Sequence, residues 1–153
     1  MPDLDAHQAD LTLIAQAARD AGDIARRFWK RAPKVWEKDA GAGPVTEADL
    51  AINEMLMDRL RAARPGYGWL SEETPDDGAR LGAGTVFILD PLDGTRAFIA
   101  GEPTFAHSIA VVAAGKGVGN GFRLNGGRRR ITGRRNGFDH FRAQSERGKT
   151  HVL

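Results

Sequence analysis

Apolar residues near the start of the chain recur at three- and four-residue steps, which is the spacing of one face of an α-helix. These residues are Leu11, Ile14, Ala15, Ala18, Gly22, Ala25, Phe28 and Trp29. The pattern predicts an amphipathic helix over roughly residues 4–31, which Pro33 ends. A second stripe of the same kind follows Thr46, a residue type favoured at helix N-caps, and stops at residues 64–66, Arg-Pro-Gly. We therefore predict two amphipathic helices in the first part of the chain.

Three short apolar runs after these helices predict β-strands. Residues 67–70 form the first run, which ends at Ser-Glu-Glu and so presents two carboxylates. Residues 85–89, Thr-Val-Phe-Ile-Leu, are continuously apolar and predict a strand buried on both faces that ends at Asp90. Residues 104–112 predict a third strand. Its neighbours on one side would be missing from this chain, and an exposed edge of this kind favours a homodimer.

Charge divides the chain into two parts. Residues 1–115 contain 12 Lys and Arg against 18 Asp and Glu, whereas residues 116–153 contain 10 against 2. The second part is also rich in glycine, and its apolar residues are isolated, so it can bury little apolar surface. We predict a partial domain over residues 1–115 and a basic, poorly ordered Gly/Arg-rich tail over residues 116–153.

Several classes of protein and site are excluded or disfavoured by composition. The chain has no cysteine, which excludes disulfides, thiolate metal sites and cysteine nucleophiles. It has no apolar run that could span a bilayer, and its acidic N-terminus is unlike a secretory signal, so we expect a cytoplasmic protein without membrane association. The arginines of the tail could bind nucleic-acid phosphates, but few aromatics accompany them and no recognition module is present, so nucleic acid is not expected as a partner.

Residues 90–95, Asp-Pro-Leu-Asp-Gly-Thr, are the main candidates for chemistry. The preceding strand delivers Asp90 to its C-terminal end, and a sharp turn at the proline could bring Asp90, Asp93 and the Leu92 carbonyl together. Two carboxylates and a carbonyl are ligands for a hard divalent cation. Asp-Pro and Asp-Gly pairs also occur in ordinary turns, and that alternative remains open on this segment alone.

Two other segments supply further candidates. Glu72 follows the first predicted strand, and Asp49 lies in the first turn of the second helix. Each also has a simpler interpretation, as a solvated surface acid and as a helix-capping residue respectively. If these carboxylates share a cleft with Asp90 and Asp93, they repel one another, and divalent cations remove that repulsion. Gly94 and Thr95 could then bind phosphate through their backbone if the next segment is helical.

The motifs at these positions resemble the inositol monophosphatase family. The matching segments are residues 44–49 (Pro-Val-Thr-Glu-Ala-Asp), 71–73 (Ser-Glu-Glu), 90–95, and 101–110 (Gly-Glu-Pro-Thr-Phe-Ala-His-Ser-Ile-Ala). The sequences of residues 69–74 and 93–99 resemble the bacterial 3′(2′),5′-bisphosphate nucleotidase branch more than the inositol branch. The resemblance implies an α/β layered sandwich, present here as an incomplete N-terminal portion with long helices and a mostly antiparallel sheet.

The resemblance also implies lithium-sensitive, Mg²⁺-dependent phosphatase chemistry on a small phosphate ester. Glu72, Asp90 and the Leu92 carbonyl would hold one Mg²⁺, and Asp90 and Asp93 would share a second. Thr95, with Asp49 or Glu72, would activate the attacking water.

The resemblance ends at about residue 115. The family continues with a second half that contains a Trp-Asp motif, and no Trp-Asp pair occurs in this chain. Truncation or a changed reading frame would explain the difference. Besides an active phosphatase, two alternatives therefore stay open, a catalytically inactive fragment and weak nucleic-acid binding through the basic tail.

Overall fold

A computed structural model describes residues 4–113 and 116–124 of the chain, with the backbone alone for residues 116–124. Three helices are present, α1 (Leu4–Phe28), α2 (Glu47–Ala63) and the short α3 (Thr95–Ile99). The strands are β1 (Val35–Glu37), β2 (Pro44–Thr46), β3 (Gly68–Ser71), β4 (Thr85–Asp93), β5 (Ala106–Ala113) and β6 (Lys116–Leu124). Two 3₁₀ turns lie at Asp39–Gly41 and Ala79–Gly82. Helix and sheet together confirm the predicted α/β class.

Helices α1 and α2 pack on each other and on one face of the sheet. Their apolar stripes meet alternate residues of β4 and β5, and the shared core is fully buried. The core includes Ile14, Ala18, Ile52, Leu56, Leu60, Phe87, Leu89, Ile109 and Val111. Both predicted helices are confirmed, although α1 ends at Phe28 because Lys30 and Ala32 adopt left-handed backbone conformations ahead of Pro33. No helix in the described part of the chain is long and apolar enough to cross a membrane.

The main sheet has four strands in the order β3-β4-β5-β6. Strands β3 and β4 are parallel, with Leu70 opposite Ile88, whereas β4–β5 and β5–β6 are antiparallel. The prediction of a mostly antiparallel sheet is therefore confirmed. The parallel pair matters for function because it brings the C-terminal ends of β3 and β4 to the same edge of the sheet.

Strand β4 is longer than predicted. We expected a sharp turn at Pro91, but β4 continues to Asp93 with a register shift against β5 between Asp90 and Asp93. The irregularity leaves the Pro91 carbonyl 2.6 Å from Nδ1 of the buried His107 on β5. A bulge redirects side chains without ending the strand, and here it takes the place of the expected turn.

The end of the sheet also differs from the prediction. Strand β6 occupies Lys116–Leu124, the first residues of the predicted tail, and pairs along the whole of β5. The third predicted strand, β5, therefore lies between two neighbours and does not form the exposed edge that suggested a homodimer. Backbone pairing needs no side-chain periodicity, so the glycine-rich sequence of β6 concealed the strand. Residues 125–153 lie outside the described residues, and their poor order remains a prediction.

A small antiparallel hairpin of β1 and β2 precedes α2, with Trp36 opposite Val45. The backbone N–H of Glu47 donates to the Lys34 carbonyl at 3.0 Å, and the Glu47 side chain accepts from the N–H of Lys34 at 2.9 Å. These bonds attach the hairpin to the start of α2, so Lys38, just beyond β1, is brought near the ends of β3 and β4.

We predict that Leu56→Ala destabilises the protein by about 2–5 kcal/mol, the usual cost of removing a buried leucine side chain. Leu56 is fully buried between α2 and the sheet, so its removal leaves a cavity. Urea unfolding followed by circular dichroism measures the change. Leu50→Ala on the same helix, where Leu50 is 43% exposed, serves as the control and should change stability far less. Equal losses for the two variants would contradict the described packing of α2.

Candidate active site

Asp49 connects the start of α2 to the end of β4. Its Oδ2 accepts hydrogen bonds from the Thr46 backbone N–H at 2.8 Å and the Thr46 hydroxyl at 2.5 Å, which forms a capping box. Its Oδ1 lies 3.0 Å from the Thr95 hydroxyl, which is also 3.0 Å from the Leu92 carbonyl. Burial raises the pKa of Asp49, and the hydrogen bonds from Thr46 and Thr95 oppose that rise. Asp49 is thus a capping residue that also contacts Thr95, and its role in a site remains a prediction.

Asp90 is half-buried and lies next to the other acids of the cluster. Burial, the negative charge of Glu72 and the charges of Asp93 and Glu73 together raise its pKa well above the usual value. Its Oδ1 is buried and has no hydrogen-bond partner among the residues that the structure describes. A buried carboxylate oxygen without a partner is costly for the folded state, so this position favours a cation or a proton.

Lys38 provides a positive charge beside the acids. Its ammonium lies 2.6 Å from Glu73 Oε1 and 3.5 Å from Glu72 Oε1. Burial lowers the pKa of Lys38, but the hydrogen bond and charge of Glu73 and the charge of Glu72 outweigh it, so the pKa is raised. Burial raises the pKa of Glu73, as do the charges of Asp49 and Glu72, whereas Lys38 opposes this rise.

Gly94 forms the corner between β4 and α3. Its φ of +86° lies in the left-handed region that favours glycine. A Cβ atom at this position would stand 2.8 Å from the Thr104 carbonyl oxygen and 3.3 Å from the Phe105 Cα. The corner places Thr95 at the first position of α3, where its hydroxyl reaches Asp49.

The predicted site residues fall into one electrostatically connected group. Asp49 contacts Thr95, Thr95 contacts the Leu92 carbonyl, and the charges of Glu72 and Asp93 act on Asp90. In residues 4–113, however, no three acidic or histidine side chains already form a metal-binding group. The metal-ligand set of Glu72, Asp90, Leu92 and Asp93, and the phosphate contacts of Gly94 and Thr95, therefore remain predictions.

The donor chemistry nevertheless fits a hard divalent cation. Carboxylate and carbonyl oxygens are the ligands such ions take, and the unpartnered Oδ1 of Asp90 lies among other acids. Lys38 contributes one positive charge to a group that contains Asp49, Glu72, Asp90 and Asp93 as well as its own partner Glu73. A further cation would lower the electrostatic cost of this arrangement.

Sequence reasoning missed three residues of the site. Lys38 and Glu73 form an ion pair, and Asn53 bonds to the turn that carries Glu72. Asn53 follows Asp49 by four residues, so helical spacing alone places both on one face of α2. No comparable signal identifies Lys38, because the hairpin that carries it is positioned by tertiary contacts.

Comparison with known proteins supports the resemblance of this chain to the inositol monophosphatase family. The sequence model of the inositol monophosphatase family matches residues 7–119. The chain belongs to this family. It is 41% identical over 110 residues to the 3′-phosphoadenosine 5′-phosphate phosphatase of Mycobacterium leprae, an alignment covering 71% of this chain and 39% of that protein. It is 36% identical over 117 residues to the inositol-1-monophosphatase of Caulobacter vibrioides, covering 74% of this chain and 44% of the relative.

A solved relative has the same fold. The structure of the extragenic suppressor protein suhB from Bartonella henselae matches with a TM-score of 0.68 and 33% identity, over 76% of this chain and 45% of that one. The predicted family and fold class are thus confirmed for this inositol monophosphatase-family chain. It spans less than half the length of each of these three relatives.

We predict that Gly94→Ala destabilises the corner by about 1–3 kcal/mol, the cost of a strained left-handed residue. The close Thr104 carbonyl adds to this cost. Thermal unfolding measures the change. Gly41→Ala, at a φ of +74° with nothing within 4 Å, is the control for backbone strain alone. A loss no larger than that of the control would contradict the close packing at Gly94.

We also predict that Asp90→Asn raises the melting temperature of the metal-free protein at neutral pH. The folded-state pKa of Asp90 is raised, so the folded protein holds a proton that the unfolded chain has lost. Stability should therefore fall as pH rises from the unfolded pKa, about 4 for a carboxyl, to the higher folded pKa. Melting curves across this range in the presence of a chelator measure the slope. An Asp90→Asn variant that keeps the wild-type slope would contradict the assignment.

Proposed function

We propose that this chain carries the metal site of a Mg²⁺-dependent phosphomonoesterase. The observation that supports it best is the buried Oδ1 of Asp90, which has no hydrogen-bond partner among the described residues and lies near Glu72 and Glu73 of the turn after β3 and Asp93 of β4. Glu72, Asp90 and the Leu92 carbonyl would hold one Mg²⁺, and Asp90 with Asp93 a second. Bound Mg²⁺ stabilises negative charge on phosphate oxygens and makes a water molecule more acidic.

The residues of this chain then have separate roles. The Thr95 hydroxyl, which donates a hydrogen bond to Asp49, would accept a proton from the attacking water while Asp49 takes the hydroxyl proton. Glu72 is the alternative partner for that proton. Water oxygen forms the new bond to phosphorus, the ester P–O bond breaks, and the leaving oxygen takes up a proton. The backbone of Gly94 and Thr95, at the start of α3, would bind the phosphate.

The proposed substrates are the 3′(2′)-phosphates of nucleoside bisphosphates, or inositol and sugar monophosphates. Relatives at similar identity are named for both kinds of substrate, a phosphoadenosine phosphatase at 41% and an inositol-1-monophosphatase at 36%. The sequences of residues 69–74 and 93–99 favour the bisphosphate nucleotidase branch. Lithium inhibition and a cytoplasmic location belong to the same proposal. A homodimer belongs to it as well, although the exposed edge of β5 on which that prediction rested is covered by β6.

An inactive, metal-binding chain is the second candidate. The alignment covers 39–44% of the named phosphatases, so the matched segment does not include the residues in the rest of their length. This alternative predicts uptake of metal without turnover.

We expect Mg²⁺-dependent release of phosphate from adenosine 3′,5′-bisphosphate, abolished by Asp90→Asn and inhibited by lithium. The substitution removes a charge that both predicted ions need, and metal-ligand changes of this kind abolish chemistry that depends on the metal. A colorimetric phosphate assay measures turnover, and calorimetry measures Mg²⁺ uptake. Glu54→Gln, an exposed carboxylate on α2, is the control and should change neither.

The two readouts separate the candidates. Uptake of Mg²⁺ without turnover on nucleotide or inositol phosphates supports the inactive chain. Folded protein that takes up neither Mg²⁺ nor Mn²⁺, even with inorganic phosphate present, refutes both.

A further inference from the structure

Asn53 is a buried polar residue on α2 that bonds to both ends of the turn after β3. Its Oδ1 accepts from the Ser71 hydroxyl at 2.6 Å, and its Nδ2 donates to the Thr74 hydroxyl oxygen at 3.0 Å. The same Thr74 oxygen accepts from the Trp69 indole N–H at 3.3 Å. Asn53 is 8% exposed, so these bonds are shielded from water. A side chain that donates at one end and accepts at the other fixes the distance between Ser71 and Thr74.

The turn that Asn53 spans carries the acids of the site. The Thr74 N–H donates to the Ser71 carbonyl at 3.3 Å, which closes a four-residue turn with Glu72 and Glu73 at its centre. The Glu73 N–H donates to the Ser71 hydroxyl, also at 3.3 Å. The Ser71 hydroxyl therefore links the Asn53 side chain to the backbone N–H of Glu73.

Helix α2 holds the other side of the site through Asp49. Four residues of α-helix rise about 6 Å, so Asp49 and Asn53 lie one turn apart on one face. Asp49 bonds to Thr95, the first residue of α3 after β4, and Asn53 bonds to the turn after β3. Helix α2 therefore fixes the positions of both segments.

We propose that Asn53 is a positioning residue, which holds Glu72 and Glu73 at a fixed place relative to Asp49 and Thr95 for divalent-metal binding. The inference rests on the proposed function, because metal binding gives the position of Glu72 its purpose. The hydrogen bonds from Asn53 to Ser71 and Thr74 tie both ends of this turn to α2, so they limit movement of Glu72 and Glu73 relative to Asp49 and Thr95. We call these two bonds the Asn53 clamp. Groups that orient metal ligands typically change metal affinity 10–100-fold when removed.

The test measures the affinity for Mn²⁺ by calorimetry, with inorganic phosphate present, in wild type and in Asn53→Leu. The substitution removes both hydrogen bonds and leaves every predicted ligand in place. We expect affinity to fall about tenfold. The control is Tyr67→Phe, which removes the Tyr67 hydroxyl bond to the buried Asp10 at 2.9 Å, just before the start of β3. It should lower the melting temperature and leave Mn²⁺ affinity within about twofold, because it touches no residue of the site.

A second pair of variants tests the same clamp more mildly, and carries the test if Asn53→Leu fails to fold. Thr74→Val keeps the shape of the side chain and removes the hydroxyl that Asn53 and Trp69 share. Thr74→Ser keeps the hydroxyl and removes only the methyl group. We expect weakened Mn²⁺ binding in the valine variant and recovery in the serine variant. A role in stability alone predicts losses in melting temperature that do not follow Mn²⁺ affinity.

Amide and indole NMR signals of the metal-free protein separate this inference from the proposed function. If Asn53 sets the turn, Asn53→Leu shifts the amide signals of Glu72 and Glu73 and the indole signal of Trp69. Wild type that binds neither Mg²⁺ nor Mn²⁺ refutes the proposed function, and these signals then decide on Asn53 alone. Unshifted signals, wild-type Mn²⁺ affinity in both Asn53→Leu and Thr74→Val, or an equal loss of affinity in Tyr67→Phe overturns the inference.

Discussion

Repulsion between carboxylates that the fold gathers at one edge of the sheet is the interaction on which the rest of this structure depends. Asp90 is half-buried at that edge with its Oδ1 shielded from solvent, and the charges of Glu72, Asp93 and Glu73 all act on it. Buried like charges destabilise a folded chain unless cations or protons offset them. Proteins keep such arrangements where chemistry requires them, and the acids here match the ligand chemistry of a hard divalent cation.

The surrounding structure resists this repulsion with hydrogen bonds that begin on one helix. Asp49 forms the capping box of α2 and reaches Thr95, while Asn53, one turn later, bonds to Ser71 and Thr74. Lys38 places a positive charge against the glutamates from the opposite side, through the hairpin that precedes α2. The core beneath α2 gives it the rigidity to hold both segments, because Ile52, Leu56 and Leu60 are fully buried.

Local patterns predicted the elements well and their limits less well. The helical stripes predicted α1 and α2, and the apolar run 85–89 predicted the first part of β4, although only one face of that part, with Phe87 and Leu89, is buried. The extension of β4 through Pro91 was missed because a proline in a strand is normally read as its end, whereas a bulge accommodates it here. Strand β6 was missed for a related reason, since its glycines carry no pattern and its order comes from pairing with β5.

The sequence by itself determined the family, the helices and the candidate acids, because those depend on residue type and on spacing within a single segment. It singled out Asp49, Glu72, Asp90 and Thr95 as candidates from the motifs that contain them. Tertiary structure alone decided that Lys38 faces Glu73 across 35 residues of sequence, and that Asn53 reaches Ser71 across 18. Such contacts follow from how α2, the hairpin and the parallel pair β3–β4 pack together, and side-chain spacing along one element contains no information about that packing.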